Sequence, residues 1–436
     1  MRNPTYRRGA LLPALLAALL FTGCTDTELV GPFFVTHTVP YAVAGEDYEY
    51  DAHAAGLTLP TTWSLETAPV GMAVDQDGVV TWAPTLDELG VHPVVLRVTD
   101  GERAVEQSWD LGVHQDVLMG TGYSPKGHAS GSTDEDVVEH LVDNEPFGRL
   151  IAFQTNWRES VADAGSIPDL GVFAMTARSS YGTEPVVGFG WADAAGVPDL
   201  TSDDFPLDNS WANQETRDEF LDMVTAYAST YGPSHLFLGN EVNTWYAGNM
   251  ADWPNWLSML EECYDAIKAV SPSTVVFTVF QLERLKGLGA ATIGNTDPPQ
   301  WNLVADLELQ GKLDAVGFTS YPYFEYATTG AIPADYYDEI ALHWSGPVIF
   351  TEIAWPALAD PPFPGSVVDQ DTFVGTFFDR SKDLDLECVL WRYLHDLDDQ
   401  ASFPGFMEVG LRSNDGSVVR DADGSWQAEV ILRERP

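Results

Sequence analysis

The sequence predicts an α/β protein in which a (β/α)₈ barrel follows an all-β sandwich. Residues 25–114 hold short alternating or β-branched runs separated by turn signals, the pattern of antiparallel sheets. From residue 115 onward, apolar strands alternate with amphipathic helical stretches, the pattern of a parallel sheet. Eight such strands within roughly 320 residues are the count and size of a TIM barrel.

The N-terminus is predicted to be a targeting segment. Three arginines in the first eight residues precede the apolar run Leu11–Phe21, which is shorter than the roughly 20 residues needed to span a bilayer. The stretch Leu20-Phe21-Thr22-Gly23-Cys24 resembles the bacterial lipobox, in which the cysteine is acylated. This resemblance implies a lipoprotein signal peptide over residues 1–23, lipidation of Cys24, and an anchor or linker over residues 24–31.

The same resemblance implies a location in the cell envelope, anchored by lipid to the outer membrane or cell surface. Thr25 follows the cysteine, where an aspartate would resemble an inner-membrane retention signal. An ordinary signal peptide with an incidental cysteine is the alternative, and it would make the protein secreted.

Residues 32–114 are predicted to form the sandwich. Turn signals such as Asp75-Gln76-Asp77-Gly78 separate the strand-like runs Thr62–Leu65, Val79–Pro84 and Val94–Thr99. These runs resemble the bacterial Ig-like, or cadherin-like, module, and the resemblance implies a β-sandwich. We expect a spacer between anchor and barrel; carbohydrate binding is the alternative role.

Residues 115–436 are predicted to form the barrel. A doubly wound open sheet is the alternative, but Gly120-Thr121-Gly122 lacks the third glycine of a dinucleotide-binding turn. The candidate strands are Val117–Gly122, Arg149–Thr155, Pro185–Trp191, His235–Asn240, Thr274–Phe280, Leu313–Thr319, Pro347–Glu352 and Glu387–Tyr393.

Composition excludes several classes of partner. The chain has 21 Lys and Arg against 66 Asp and Glu, a formal net charge of −45. Such a surface repels phosphate backbones and anionic lipid, so we expect no nucleic acid partner, and membrane contact only through the lipid anchor. We expect a monomer.

No pattern in the sequence indicates a cofactor or a catalytic metal. The histidines show no metal-ligand spacing, and a Gly-x-Ser-x-Gly nucleophile elbow is missing. Cys263 lies on an apolar helical face and Cys388 opens an apolar strand, so both are interpreted as core thiols.

Two carboxylates emerge where chemistry is expected in such a barrel, at the carboxyl ends of the strands. The fourth strand ends Gly239-Asn240-Glu241, and the seventh ends Phe350-Thr351-Glu352. Glycosidic bond cleavage needs one protonated carboxyl to assist the leaving oxygen and one ionised carboxylate. At about 5–5.5 Å separation the second carboxylate attacks the anomeric carbon itself, and configuration is retained.

These motifs resemble clan A of the retaining glycoside hydrolases, the 4/7 superfamily. The resemblance implies that Glu241 is the general acid/base, Glu352 the nucleophile, and Asn240 the ligand of the sugar 2-hydroxyl. It also implies that Tyr321 donates a hydrogen bond to the nucleophile and that Trp391 forms the floor of the −1 subsite.

Within the clan, the segments Gly239–Val242, Tyr321–Phe324 and Thr351–Pro356 most resemble family 17 β-1,3-glucanases, and next the family 53 galactanases. Thr351 and Ile353-Ala354 depart from the usual family 17 pattern of Ser-Glu-Thr-Gly. The clan often has an arginine near the end of the second strand, and this sequence offers none at that point.

Aromatic and amide side chains near the strand ends are further candidates for sugar binding, because sugar faces present apolar C–H surfaces. They are Trp191, Trp245, Tyr246, Tyr323, Trp355 and Asn156.

The sequence therefore predicts a surface-anchored retaining glycoside hydrolase that cleaves β-glycosidic bonds of a polysaccharide or oligosaccharide. An endo-acting β-glucanase or β-galactanase is the favoured form. The first alternative is a catalytically silent barrel that binds glycans in an envelope or adhesion lipoprotein. The second is a structural lipoprotein whose Ig-like module is the working part.

Overall fold

The computed structural model describes residues 31–127, 131–158, 167–191, 200, 210–397 and 403–434. The predicted signal peptide and its Cys24 lie outside the described residues. The chain divides into two compact units, Met1–Gln115 and Asp116–Pro436.

The first unit is an all-β sandwich. Its four-stranded sheet has the order Tyr41–Val43, Ala104–His114, Gly90–Thr99, Thr62–Thr67, and its three-stranded sheet the order Tyr48–Asp51, Val79–Trp82, Ala73–Val74. The short strands Phe33–Phe34 and Ala54–Ala55 pair with each other. Alternation along these strands turns one face of each sheet inward. The enclosed core includes Tyr50, Trp82, Leu96, Trp109 and Leu111.

The second unit is a (β/α)₈ barrel, as the sequence predicted. Each strand lies within three residues of its predicted bounds, because continuous apolar runs of this length are typical of strands buried on both faces. The strands are β1 (Leu118–Gly122), β2 (Leu150–Asn156), β3 (Glu184–Gly190), β4 (His235–Leu238), β5 (Val275–Phe277 and Val279–Gln281), β6 (Val316–Ser320), β7 (Val348–Ile353) and β8 (Leu386–Trp391).

Strand β5 closes the barrel in two halves. Its first half pairs with β4 and its second half with β6, both in parallel. Thr278 separates the halves, and its carbonyl accepts a 2.8 Å hydrogen bond from the amide of Gly317 in β6. The remaining neighbours pair in parallel in the order β4-β3-β2-β1-β8-β7-β6, so the ring is complete.

Helices surround the strands and bury their apolar faces against the outside of the barrel. Several begin at a side-chain cap, for example where Asn213 accepts from the amides of Glu215 and Thr216. The α-helices are Asp134–Asp143, Asp169–Tyr181, Gln214–Tyr231, Val242–Gly248, Trp253–Val270, Leu282–Leu285, Asn302–Gln310, Asp338–Ala341, Val367–Ser381 and Asp421–Arg433.

Two phenylalanine rings occupy the interior of the barrel, in space that glycines on neighbouring strands leave open. A Cβ atom on Gly188 would lie 1.9 Å from the ring of Phe237, and one on Gly317 would lie 2.9 Å from the ring of Phe277. The interior cluster also contains alternate residues of other strands, such as Cys388 and Leu390 of β8. The interior is thus a packed core, and chemistry is confined to the mouth of the barrel.

Among the described residues, no helix combines the length and the apolar character required to cross a membrane.

Candidate active site

Strand alternation delivers polar side chains to the carboxyl-terminal mouth of the barrel. In β2, Leu150 and Ala152 belong to the interior cluster, and Gln154 follows on the same face. In β8, Cys388 and Leu390 lie inside, so the next residue on that face is Arg392. Both side chains reach Glu352.

A β-bulge in β7 turns Glu352 toward this mouth. Phe318 of β6 pairs with Phe350, but the next residue, Thr319, pairs with Glu352, so Thr351 is the extra residue of the bulge. Without it, Glu352 would share the outer face with Phe350. The bulge therefore re-aims the carboxylate into the barrel.

Three donors hold the buried carboxylate of Glu352. Arg392 Nη1 forms an ion pair with Oε1 at 2.9 Å. Gln154 Nε2 donates to the same oxygen, and the hydroxyl of Tyr321 donates to Oε2. Burial, followed by the charge of Glu352, raises the pKa of Tyr321, so its hydroxyl keeps the proton that it donates. These three contacts fix the position of the carboxylate from both of its oxygens.

The amide of Gln154 links Glu352 to Asn240. Its Nε2 donates to Glu352, and its Oε1 accepts a 3.1 Å hydrogen bond from Asn240 Nδ2. The carboxylate can only accept, so this arrangement fixes the orientation of both amides. Asn240 Oδ1 is buried and has no hydrogen-bond partner within the described residues.

Glu241 lies at the N-terminus of the helix Val242–Gly248, but its side chain makes no capping hydrogen bond. Instead, Oε1 accepts a 2.7 Å hydrogen bond from Thr319 Oγ1. Its backbone has φ 50° and ψ 47°, and Glu241 is the one non-glycine with positive φ among the described residues. Strained backbone of this kind is concentrated at functional sites.

Gly239 makes the sharp turn before Glu241 sterically feasible. It has φ 80°, and a Cβ atom there would lie 2.5 Å from both the Trp191 ring and the Val242 side chain. Trp191 thus packs beneath the turn that carries Asn240 and Glu241.

The two carboxyls have different electrostatic surroundings. Burial, and then the negative charge of Glu352, raise the pKa of Glu241 to about 7. The hydrogen bond from Thr319 and the charge of Arg392 act in the opposite direction. A carboxyl that keeps its proton up to about pH 7 can serve as a general acid beside an ionised partner.

A third acid, Glu283, supports the site from within the protein. It is fully buried, and burial raises its pKa. Its Oε1 accepts from the hydroxyls of Ser320 and Tyr336 and from the amide of Tyr321, at 2.8–3.1 Å. Glu283 therefore anchors the segment that presents the Tyr321 hydroxyl to Glu352.

Most of the predicted sugar-binding aromatics lie in the core. Trp191 packs edge-on against Trp211, Trp245 and Trp256, with ring centroids 4.7–6.0 Å apart. Tyr323 donates a 3.0 Å hydrogen bond to the carbonyl of Gly405. The predicted aromatics that are buried, with exposed fractions of 8% or less, are Trp191, Trp245, Tyr321, Tyr323, Trp355 and Trp391.

Trp391 packs against the helical layer of the barrel. Its ring is fully buried against Phe373 and Trp426 of the helical layer, 6.1 and 5.7 Å away, and its Nε1 donates to the carbonyl of Val409. Strand alternation sends Trp391 outward, so Arg392, which follows it, faces the mouth. Arg392 thus supplies a cation at the Glu352 carboxylate.

Tyr246 and Asn156 are half-buried. Tyr246 packs edge-on against Trp253 at 5.6 Å, and Asn156 Oδ1 accepts from the amide of Arg158.

A cavity of about 310 Å³ borders the group around Glu352. Gln154 and Arg392, which both contact Glu352, line it together with Tyr123, Ala152, Leu170 and Tyr393. The described residues contain no cluster of three or more His, Cys, Asp and Glu side chains arranged to hold a metal ion.

No protein-family model and no curated protein matches the sequence. Similar solved structures include GH5_18 from Streptomyces cattleya in complex with GlcNAc, which is 17% identical over 74% of this chain and 83% of that chain, with a TM-score of 0.56. A GH5_18 variant from Bifidobacterium longum in complex with Manβ1-4GlcNAc is 15% identical over 74% and 80% of the two chains, with a TM-score of 0.55.

An exo-β-1,4-mannosidase from Opitutaceae bacterium strain TAV5 is 14% identical and has a TM-score of 0.52; the match covers 73% of this chain and 61% of that chain. At these identities the similarity establishes the fold alone.

Proposed function

We propose that the protein is a retaining glycoside hydrolase that cleaves β-glycosidic bonds. The observation that carries this proposal is the unequal pair of carboxyls at the barrel mouth. The Glu352 carboxylate accepts from Arg392, Gln154 and Tyr321, whereas burial and the charge of Glu352 raise the pKa of Glu241 to about 7. Glycoside cleavage requires a protonated carboxyl as the acid and a second carboxylate as the nucleophile, and these different surroundings suit Glu241 and Glu352 to those two roles.

In the first step, the Glu352 carboxylate attacks the anomeric carbon, and the bond from that carbon to the leaving oxygen breaks. Glu241 transfers its proton to the leaving oxygen, which departs as an alcohol. A glycosyl ester on Glu352 and an ionised Glu241 remain.

In the second step, Glu241 takes a proton from a water molecule, and the water oxygen attacks the anomeric carbon. The ester bond breaks, Glu352 returns as a carboxylate, and the sugar leaves with its original configuration. Asn240 Oδ1, which has no partner among the described residues, accepts a hydrogen bond from a sugar hydroxyl throughout.

For the substrate, we propose a β-linked glycan. The sequence motifs favour β-glucan or β-galactan and endo-acting cleavage. Similar barrels include an exo-β-1,4-mannosidase and a protein solved with Manβ1-4GlcNAc, so β-mannosides belong in any test.

Product analysis tests the proposal directly. The protein is incubated with β-1,3-glucan, β-1,4-galactan, mannan, xylan and aryl β-glycosides, and the first-formed anomer is read by NMR. Retention is expected, and Glu352→Gln should remove turnover. Inversion would reject the two-step mechanism, and binding without turnover would favour the catalytically silent alternative.

We further propose that the sandwich, residues 32–114, is a spacer and that Cys24 carries the lipid that holds the protein at the cell envelope. In a lipoprotein-competent host, the wild-type chain should partition with membranes, and Cys24→Ser should release it or leave it unprocessed. A wild-type chain that is wholly soluble, with a mature N-terminus elsewhere, would contradict this.

A further inference from the structure

Arg392 reaches Glu352 from the opposite side to Tyr321. Its Nη1 lies 2.9 Å from Glu352 Oε1, and its side chain is 19% exposed, so solvent screens the pair weakly. Tyr321 binds the other oxygen, Oε2. The carboxylate therefore has a different neighbour on each oxygen, and its plane is defined by both.

Two aromatic rings fix the guanidinium of Arg392. Its Cζ lies 4.3 Å from the ring centroid of Tyr393 and 5.6 Å from that of Phe406. The Phe406 ring in turn lies 4.8 Å from the Tyr321 ring. Aromatic contacts of this kind hold a planar guanidinium in place better than they hold a lysine ammonium. Arg392 is therefore pre-oriented toward Glu352.

The charges of Glu352 and Glu241 both act on Arg392. Burial raises the pKa of both Glu241 and Glu283. The charges of Glu352 and Glu283 raise the pKa of Glu241 as well. Burial alone would lower the pKa of Arg392. The charges of Glu352 and the neighbouring tyrosines outweigh that effect and raise the pKa above its ordinary value, so the guanidinium stays charged. The charge of Arg392 also lowers the pKa of Glu241.

We propose that Arg392, delivered by the end of β8, is the positioning residue for the nucleophile Glu352, with Gln154 as its neutral partner on β2. The inference rests on the proposed glycosidase function. Arg392 acts through Glu352, since its ion pair and the Gln154 hydrogen bond meet on the same oxygen.

Three variants test this role. Arg392→Gln removes the charge, and Arg392→Lys keeps the charge but loses the planar fork. Arg412→Gln is the matched control, because Arg412 is 20% exposed, pairs with Asp423 at 2.8 Å and lies over the Phe147 ring. Each variant is assayed for kcat and KM across pH on a β-glycoside with a poor leaving group, which needs the proton of Glu241, and its thermal unfolding is recorded.

Arg392→Gln is expected to lower kcat by about 10- to 100-fold, the range for losing a hydrogen bond to a charged group. KM should change little. Because Arg392 lowers the pKa of Glu241, the alkaline limb of the pH profile should move to higher pH. Arg392→Lys should restore that limb and part of kcat, and Arg412→Gln should lower stability without moving the limb.

The inference would be overturned by an Arg392→Gln variant with wild-type kcat and pH profile. It would also be overturned if Arg392→Gln and Arg412→Gln lost activity equally with unmoved profiles, because loss of stability alone would then explain both. Absence of turnover in the wild type on every β-glycoside would instead reject the proposed function.

Discussion

Thr319 Oγ1 donates a 2.7 Å hydrogen bond to Glu241 Oε1, and the same residue is the cross-strand neighbour of Glu352. One threonine on β6 thus contacts Glu241 through its side chain and pairs with Glu352 through its backbone. Its hydroxyl stabilises the ionised form of Glu241 and so lowers its pKa.

Thr319→Val should therefore move the alkaline limb of the pH–rate profile above its wild-type position near pH 7. Burial and the charge of Glu352 raise the pKa of Glu241, and the Thr319 hydrogen bond lowers it. Without that hydrogen bond the pKa rises, so Glu241 keeps its proton to higher pH. The measurement is kcat/KM against pH. Thr278→Val is the matched control, because Thr278 is also buried and its hydroxyl has no partner among the described residues. An unmoved limb in Thr319→Val would contradict the assignment of Glu241.

Glu352→Ala should lower turnover by several orders of magnitude while substrate still binds. The space vacated by the carboxylate can admit azide, which would attack from the same face. An activated β-glycoside should then yield an α-glycosyl azide, identified by NMR. A β-glycosyl azide would place the nucleophile elsewhere.

Glu241→Gln should affect substrates according to their leaving groups. A poor leaving group needs the proton of Glu241, whereas a nitrophenolate departs with little protonation. We expect a large loss of kcat on an oligosaccharide, a much smaller loss of the first step on the nitrophenyl glycoside, and no alkaline limb near pH 7. Equal losses on both substrates would indicate a structural role for Glu241.

The same variant should change how stability depends on pH. The folded-state pKa of Glu241, about 7, lies above its ordinary value of 4.5, so its contribution to folding is complete below about pH 4.5 and is lost as pH rises through 7. Glutamine does not titrate. The melting temperature of Glu241→Gln minus that of wild type should therefore increase from pH 4.5 to 8. A difference independent of pH would contradict the raised pKa.

The sequence predicted the eight strands and the two carboxyls because both depend on local signals. Each strand is an apolar run of the right length, and each carboxyl directly follows one. The positioning residues were missed because they depend on which way a side chain faces. The resemblance implied a sugar-binding role for Trp391 at the end of β8, whereas alternation from Cys388 and Leu390 assigns the inner face to Arg392.

The same reasoning would have found Gln154, which shares a face with Leu150 and Ala152. It would not have placed Glu352 on the inner face, because the bulge at Thr351 reverses the alternation. The residue types in β7 do not predict that bulge. Nor could it separate core tryptophans from sugar platforms. Trp191 and Trp245 are buried by a helical layer whose packing depends on residues such as Trp256, far along the chain.

The left-handed backbone at Glu241 has an evolutionary consequence. An L-residue in this region is less stable by roughly 1–2 kcal/mol than in a right-handed helix, whereas glycine is free of the steric penalty. Selection for folding stability alone would favour glycine at this position, since glycine removes both the steric penalty and a partly buried acid. The proposed acid/base role accounts for a glutamate in that conformation, and the residue at position 241 in related barrels would distinguish those that keep this acid from those that lack it.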